Sequence, residues 1–193
     1  MKDTDVLIVG GGMVGVTLAL LLSREPSLAI TLVESISFPS LEPDAPLPYR
    51  PSFDARNTAL SRRTVATYTD LGLWNEMQLH ATPIHEIHVS ERGHFGMSRL
   101  VADEENVESF GQCIENAWMG LVLLRALKRC TNVTVHDGAT LTGIRQHGTH
   151  VSADIKKGDE LFTLNAPLLV AADGANSPCR EMLGINATTT PYG

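Results

Sequence analysis

The sequence predicts an α/β protein in which a parallel sheet carries an antiparallel β-meander as one of its crossovers. Three observations point there. Asp5-Val6-Leu7-Ile8-Val9 is an apolar, largely β-branched run that passes through a glycine-rich turn into a run of helix formers ending near Leu22. A second apolar run, Ala29-Ile30-Thr31-Leu32-Val33, ends in the acid Glu34. Much later, three strand-like runs at residues 140–146, 150–156 and 160–164 follow one another with Gly148 and Gly158 in the turns, and lead into a further buried strand from Ala166. A plain doubly wound sheet would repeat strand and helix; here a meander stands where a crossover helix would be.

The glycine turn, Gly10-Gly11-Gly12-Met13-Val14-Gly15, has the spacing G-x-G-x-x-G. Gly10 permits the tight turn, Gly12 lets the backbone approach a pyrophosphate, and Gly15 lets the helix pack closely on the strand. The free N–H groups and partial positive charge of the helix N-terminus then face the phosphates. Glu34, about twenty residues beyond the last glycine, can accept both ribose hydroxyls of an adenosine and argues against a 2′-phosphate. Alone the glycine spacing would be weak. With strand, helix, second strand and terminal acid in register it reads as a dinucleotide site of Rossmann-like type, leaving FAD, NAD or both open.

Residues 38–52 form a loop rich in proline, with Pro39, Pro43, Pro46, Pro48 and Pro51. Val65, Tyr68, Leu71 and Leu73 give residues 61–74 an amphipathic helical pattern that ends near Gly72. Residues 84–90 and 95–101 read as a hairpin around Glu91-Arg92-Gly93-His94, in a sheet of its own. A helix is expected over residues 112–129, with Met119, Leu123, Leu124 and Leu127 on its apolar face, then a short strand at 132–136. The strand from Ala166 to Ala172 runs into the polar turn Asp173-Gly174-Ala175-Asn176-Ser177 and a helix start.

Composition narrows the function. The 193 residues carry a net charge of −7 and only 5% aromatics, without a basic stripe, which argues against nucleic acid. Cys113, Cys130 and Cys179 are an odd number with no paired spacing, so they read as packing residues of a reducing, cytoplasmic compartment. His85, His88 and His94 have no carboxylate or thiol at ligand spacing, and no metal is expected. The longest apolar run, residues 14–22, is the first crossover helix and too short for a bilayer, and no signal peptide is expected. No Ser/His/Asp triad or paired carboxylates suggest a catalytic residue. Taken singly, Asp54 and Arg56 would be a surface ion pair and Asp173-Gly174 an ordinary turn.

Taken together, three motifs resemble the class A flavoprotein monooxygenases, relatives of p-hydroxybenzoate hydroxylase: the glycine turn with Glu34, the D-x-R tripeptide Asp54-Ala55-Arg56, and the D-G-x-x-S-x-x-R run from Asp173 to Arg180. Residues 53–60, 88–96 and 111–118 are most similar to the ubiquinone-biosynthesis hydroxylases, and within them to the 2-octaprenyl-6-methoxyphenol hydroxylases. The resemblance implies an FAD/NAD(P)-binding Rossmann-like sheet with the meander crossover, plus part of a mixed-sheet substrate domain. The FAD-binding domain would take residues 1–78 and 111–185, and residues 79–110 and 186–193 would begin the substrate domain. Gly10, Gly12 and Gly15 would hold the FAD pyrophosphate and Glu34 the adenosine ribose. Arg56 and Asn116 would reach the cofactor from the flavin side, Asp173 would bond its ribityl and pyrophosphate region, Gly174 would allow close approach, and Arg180 would support the turn.

The same resemblance implies NAD(P)H as co-substrate, a C4a-hydroperoxide formed from O₂, and a prenylated phenol as the ring hydroxylated. A membrane surface or quinone-biosynthesis proteins would present that substrate, placing the protein peripheral to the inner membrane. Relatives run on for about as many residues again. This sequence is therefore expected to be the N-terminal half, inactive alone, with a parallel strand beside the first supplied from beyond Gly193 and a sheet edge left open. A non-catalytic dinucleotide-binding role, or an FAD-dependent prenyl reductase of the same fold, stands as the alternative.

Overall fold

The structure, a computed structural model, describes residues 3–42, 45–49, 56–91, 93 and 95–190. Asp54 and Ala55 of the D-x-R tripeptide, Arg92 and His94 of the hairpin turn, and residues 191–193 lie outside the described residues. The chain falls into two compact units, Met1–Ala45 with Leu123–Gly193, and Pro46–Val122.

The first unit is built on a four-stranded parallel sheet. Strand β1 (Val6–Val9) turns through the glycines into α1 (Met13–Leu22) and returns as β2 (Ile30–Val33). Every residue of β1 and β2 is buried, as uniform apolar runs demand of strands covered on both faces. Side chains alternate, so Leu7, Val9 and Val33 lie on one face, and that face is closed by the meander: Leu141, Ala153, Ile155 and Ala166 join them in one core. The other face receives α1 through its buried Gly15, Val16, Ala19 and Leu20.

The meander itself comprises β9 (Ala139–Gln146), β10 (Val151–Lys157) and β11 (Glu160–Ala166), antiparallel throughout. It leaves from β8 (Val133–His136) and delivers β12 (Leu168–Ala171) to the far side of β1, giving the sheet order β12-β1-β2-β8. A three-stranded antiparallel layer can serve as a crossover because its inner face is apolar, which is what a crossover helix would otherwise supply. Both sides of β1 are thereby filled, by β12 and β2. The expectation that the strand beside β1 comes from beyond residue 193 is corrected: the chain supplies that neighbour itself, after the meander.

The second unit shows where local pattern misled. Its three-stranded antiparallel sheet, β3 (Asn57–Ser61), β7 (Gly111–Glu115) and β4 (Ala81–Pro83) in the order β3-β7-β4, has no counterpart in the expected elements. The helix expected from residue 112 starts only at Asn116, as α4 (Asn116–Lys128). Residues 111–115 form the central strand, paired with β3 throughout and with β4 at 112–114, so cross-strand hydrogen bonds override the helical phase of Ile114 and Trp118. The amphipathic stretch divides into α2 (Arg62–Asp70) and the short α3 (Trp74–Met77), separated at Gly72. Ser61 caps α2 by accepting a hydrogen bond from the Thr64 N–H at 3.2 Å. Strands β5 (Glu86–Ser90) and β6 (Met97–Val101) form the expected hairpin in a sheet of their own. Buried Trp118 donates its indole N–H to the Met77 carbonyl at 3.2 Å and packs edge-on against Tyr49 and His80. The last helix, α5 (Pro178–Met182), belongs to the first unit.

The Ser23 hydroxyl donates to the Leu20 carbonyl at 2.8 Å at the C-terminal end of α1. The turn that follows is tied down by Asn132, whose amide donates to the carbonyls of Ser23, Glu25 and Leu28 at 3.3, 3.1 and 3.1 Å. Asn132→Ala should therefore lower stability by about 1–2 kcal/mol in a denaturant titration. Asn132→Asp should cost at least as much, because a carboxylate cannot donate to the three carbonyls. Equal stability of Asp and wild type would show the contacts to be idle.

Candidate functional site

Gly10 leaves β1 at φ +109°, a conformation L side chains rarely adopt, and a Cβ there would lie 2.3 Å from the Ala172 carbonyl oxygen. A Cβ on Gly15 would meet the Gly10 carbonyl oxygen at 1.9 Å, which is the close approach of α1 to β1. Gly12 differs from both. Its backbone is extended (φ −70°, ψ −179°), a geometry open to any residue, and a Cβ would meet nothing within 4 Å. The polypeptide's own packing therefore needs glycine at 10 and 15 but not at 12, and Gly12 borders a cavity.

That cavity has a volume of about 390 Å³, and its wall includes Gly10, Gly12, Glu34, Asp173 and Gly174. Five of the eight expected site residues, from three distant stretches of sequence, thus share one hollow at the carboxyl ends of β1, β2 and β12, where parallel sheets place ligands. Gly15 is buried beneath it. Ser35, Ile36, Ala139, Thr140, Leu141 and Pro178 also line it, together with strand-end residues Val9, Val33 and Ala172. Nothing local in the sequence marks these residues, since the meander brings 139–141 there.

Among the described residues of the wall the charged ones are Glu34 and Asp173, and none is Lys or Arg. The half-buried Glu34 carboxylate accepts from the Gly11 N–H at 2.5 Å, the Ile36 N–H at 2.8 Å and the Ser35 hydroxyl at 3.0 Å. Three donors thus fix its position at the end of β2. Asp173 accepts from the Cys179 N–H at 2.9 Å at the start of α5. Burial works to raise its pKa, but hydrogen bonds from the Ser177 side chain and the Cys179 N–H outweigh it and hold the carboxyl below its ordinary value. An anion in this hollow must be held by backbone dipoles. The N-terminus of α1 offers them, with no side-chain cap and no acid in its first turn.

Cys179 is fully buried, and desolvation together with the neighbouring Asp173 pushes its thiol up to about 12, so it is a packing residue and not a nucleophile. Arg180 donates to the Ala175 carbonyl at 2.9 Å and braces the turn. Arg56 and Asn116 lie in the second unit. They are neighbours there, with the Asn116 N–H donating to the Arg56 carbonyl at 2.9 Å and the Asn116 Oδ1 accepting from the Thr58 hydroxyl at 2.6 Å. Arg56 is exposed. Among the described residues no cluster of three or more His, Cys, Asp or Glu could hold a metal ion, and no helix is long and apolar enough to cross a membrane.

Comparison with known proteins follows the same geometry. The sequence profile of a family described as FAD binding domain matches residues 3–192. The chain is 31% identical over 193 residues to 3-demethoxyubiquinol 3-hydroxylase of Escherichia coli (strain K12), a match covering 99% of this chain and 46% of that protein. It is 32% identical over 192 residues to ubiquinone hydroxylase UbiL of Rhodospirillum rubrum, covering 100% of this chain and 42% of that protein. The chain thus spans somewhat under half the length of these relatives. Among solved structures, pqsL from Pseudomonas aeruginosa, described as a probable FAD-dependent monooxygenase, superposes with a TM-score of 0.74 at 18% identity, covering 98% of this chain and 48% of that one. The flavin-dependent monooxygenase PieE, solved with FAD and substrate, gives 0.73 at 23% identity over 95% and 33%. These structural likenesses bear on the fold.

Two outcomes test the site as built. Gly15→Ala should cost about 3 kcal/mol or more, because backbone must move, whereas Gly12→Val should cost about 1 kcal/mol, the loss of a favourable N-cap residue; comparable losses in thermal melts would refute the distinction. The native Asp173 carboxyl has a depressed pKa, so its stabilisation is complete above the unfolded value of about pH 4 and is lost as pH falls through the native value. Stability of Asp173→Asn should accordingly fall less steeply than wild type below pH 4.

Proposed function

The chain belongs to the FAD-binding domain family, and from that premise we propose that it forms the cofactor-binding part of a flavoprotein hydroxylase acting on a prenylated phenol in ubiquinone biosynthesis. What supports the cofactor assignment is the contrast among the glycines: Gly12 is unconstrained by the fold yet borders the hollow where Glu34 and Asp173 converge. A bound pyrophosphate explains it. What supports the substrate class is the naming of the relatives, one as a 3-demethoxyubiquinol 3-hydroxylase and one as a ubiquinone hydroxylase. NAD(P)H and O₂ are the co-substrates that such a reaction needs.

The residues of this chain have binding and orienting tasks. Gly12 leaves room for the pyrophosphate against the α1 N-terminus, which Gly10 and Gly15 position. Glu34 is held by its three donors, which leaves one lone-pair site, on the oxygen that Gly11 binds, to accept from a ribose hydroxyl. Asp173 and Gly174 border the stretch toward the ribityl chain, and Arg56 and Asn116 serve the flavin side. FAD, when bound, supplies the redox chemistry and oxygen activation, and the protein's contribution is to fix the cofactor and keep water from it. In this division of labour residues 1–78 and 111–185 bind FAD, and residues 79–110 and 186–193 begin the part that meets substrate. We place the working protein at a membrane surface or beside other quinone-biosynthesis proteins, where a prenylated substrate resides.

The protein carrying this sequence should purify with flavin absorbance, and Gly12→Val should abolish it while far-ultraviolet circular dichroism is retained. Tight NAD binding with no flavin at the Gly10 turn would overturn the cofactor assignment. Product formation from a prenylated methoxyphenol with NAD(P)H, measured against a simple phenol, tests the substrate; equal turnover of both would remove the prenyl requirement.

A further inference from the structure

We propose that Asp137, acting through Phe38, is a positioning residue of the cofactor hollow: without lining it, the carboxylate fixes the aromatic ring that closes the nucleotide turn. The inference rests on the FAD reading for its consequence, and on independent geometry for its substance. Asp137 follows β8 and is not part of the hollow's wall. Its Oδ2 accepts from the Phe38 N–H at 2.8 Å, across 99 residues of sequence. The Phe38 ring is pressed against Gly11, so closely that a Cβ on Gly11 would sit 2.5 Å from the ring's Cζ and 2.8 Å from the Glu34 Cβ. Gly11 in turn donates its N–H to the Glu34 carboxylate. Asp137, Phe38, Gly11 and Glu34 thus form an unbroken series of contacts, ending at the acid assigned to the ribose.

Two further observations make the Asp137 bond decisive for Phe38. The backbone around it is locked to Glu34 on both sides, since the Glu34 N–H donates to the His136 carbonyl and the Ala139 N–H donates to the Glu34 carbonyl, each at 2.9 Å. Asp137 is therefore a fixed point relative to the end of β2. Phe38, by contrast, is not confined by packing on all sides, because it also borders a second cavity of about 300 Å³ that Leu124, Leu127 and Val135 line. A ring with open space beside it can move away from Gly11 if its backbone anchor is released. Lys128 holds the following loop through the Leu41 carbonyl at 2.7 Å, three residues on, and leaves Phe38 to Asp137. The ion pair of Asp137 with Lys157, at 3.6 Å and partly exposed, adds little.

The test has two readouts. In the chain without ligand, hydrogen exchange of the Gly11 amide should quicken roughly tenfold in Asp137→Ala, the order expected when a hydrogen bond to a charged group is lost. Asp137→Asn, which keeps an oxygen able to accept from Phe38, and Lys157→Met should both match wild type. The FAD dissociation constant should follow the same ranking. Should Asp137→Ala fail to fold, Phe38→Ala reads the same contact from the other end and should loosen Gly11 equally. Wild-type Gly11 exchange in Asp137→Ala or Phe38→Ala, or a loss in Asp137→Asn equal to that in Asp137→Ala, overturns the proposal. A wild type that takes up no flavin overturns the functional reading alone, and the exchange readout then decides the positioning by itself.

Discussion

The approach of α1 to β1 through Gly15 is the constraint on which the rest depends. With the Gly10 carbonyl against the Gly15 Cα, the helix axis is brought down onto the sheet and its first N–H groups are aimed at the space beyond the strand ends. A single methyl group would push the helix away. The apolar packing of Val16, Ala19 and Leu20 on the strands and the direction of the α1 dipole both follow from that one contact.

Around this fixed turn the hollow is assembled from parts that are weak individually. Its charged members, Glu34 and Asp173, are both acids, and each is held by backbone N–H groups of its own neighbourhood. A site of this kind suits a ligand with hydroxyl donors beside the acids and an anion at the helix end. An adenosine ribose joined to a pyrophosphate has that distribution, and the described residues of the wall supply no cationic side chain for it.

The meander has a second role beyond closing the core. By replacing a crossover helix it sends β9 past the end of β2, so Ala139, Thr140 and Leu141 become part of the wall. The turn that starts it, residues 136–139, is hydrogen-bonded to Glu34 and reaches Phe38. The same segment thus supports the hollow from within and from behind.

The sequence by itself determined the first unit's strands, the helix between them, the meander and the Asp173 turn, because each is a local pattern: an apolar run of fixed period, or a glycine at a spacing that backbone geometry requires. Gly10, Gly12, Gly15 and Glu34 were singled out for the same reason, whereas Asp173 and Gly174, an ordinary turn taken by themselves, were singled out through the resemblance. Only tertiary structure decided that residues 111–115 are a strand, since pairing with β3 and β4 outweighed their helical phase, and that β12, arriving after the meander, lies beside β1. It also decided which glycines the fold requires and which it leaves unconstrained, a distinction that lies in the atoms a Cβ would meet. Gly11, Phe38 and Asp137 carry no signal in the chain, because their link spans about half its length and exists only once β2 and β8 are paired.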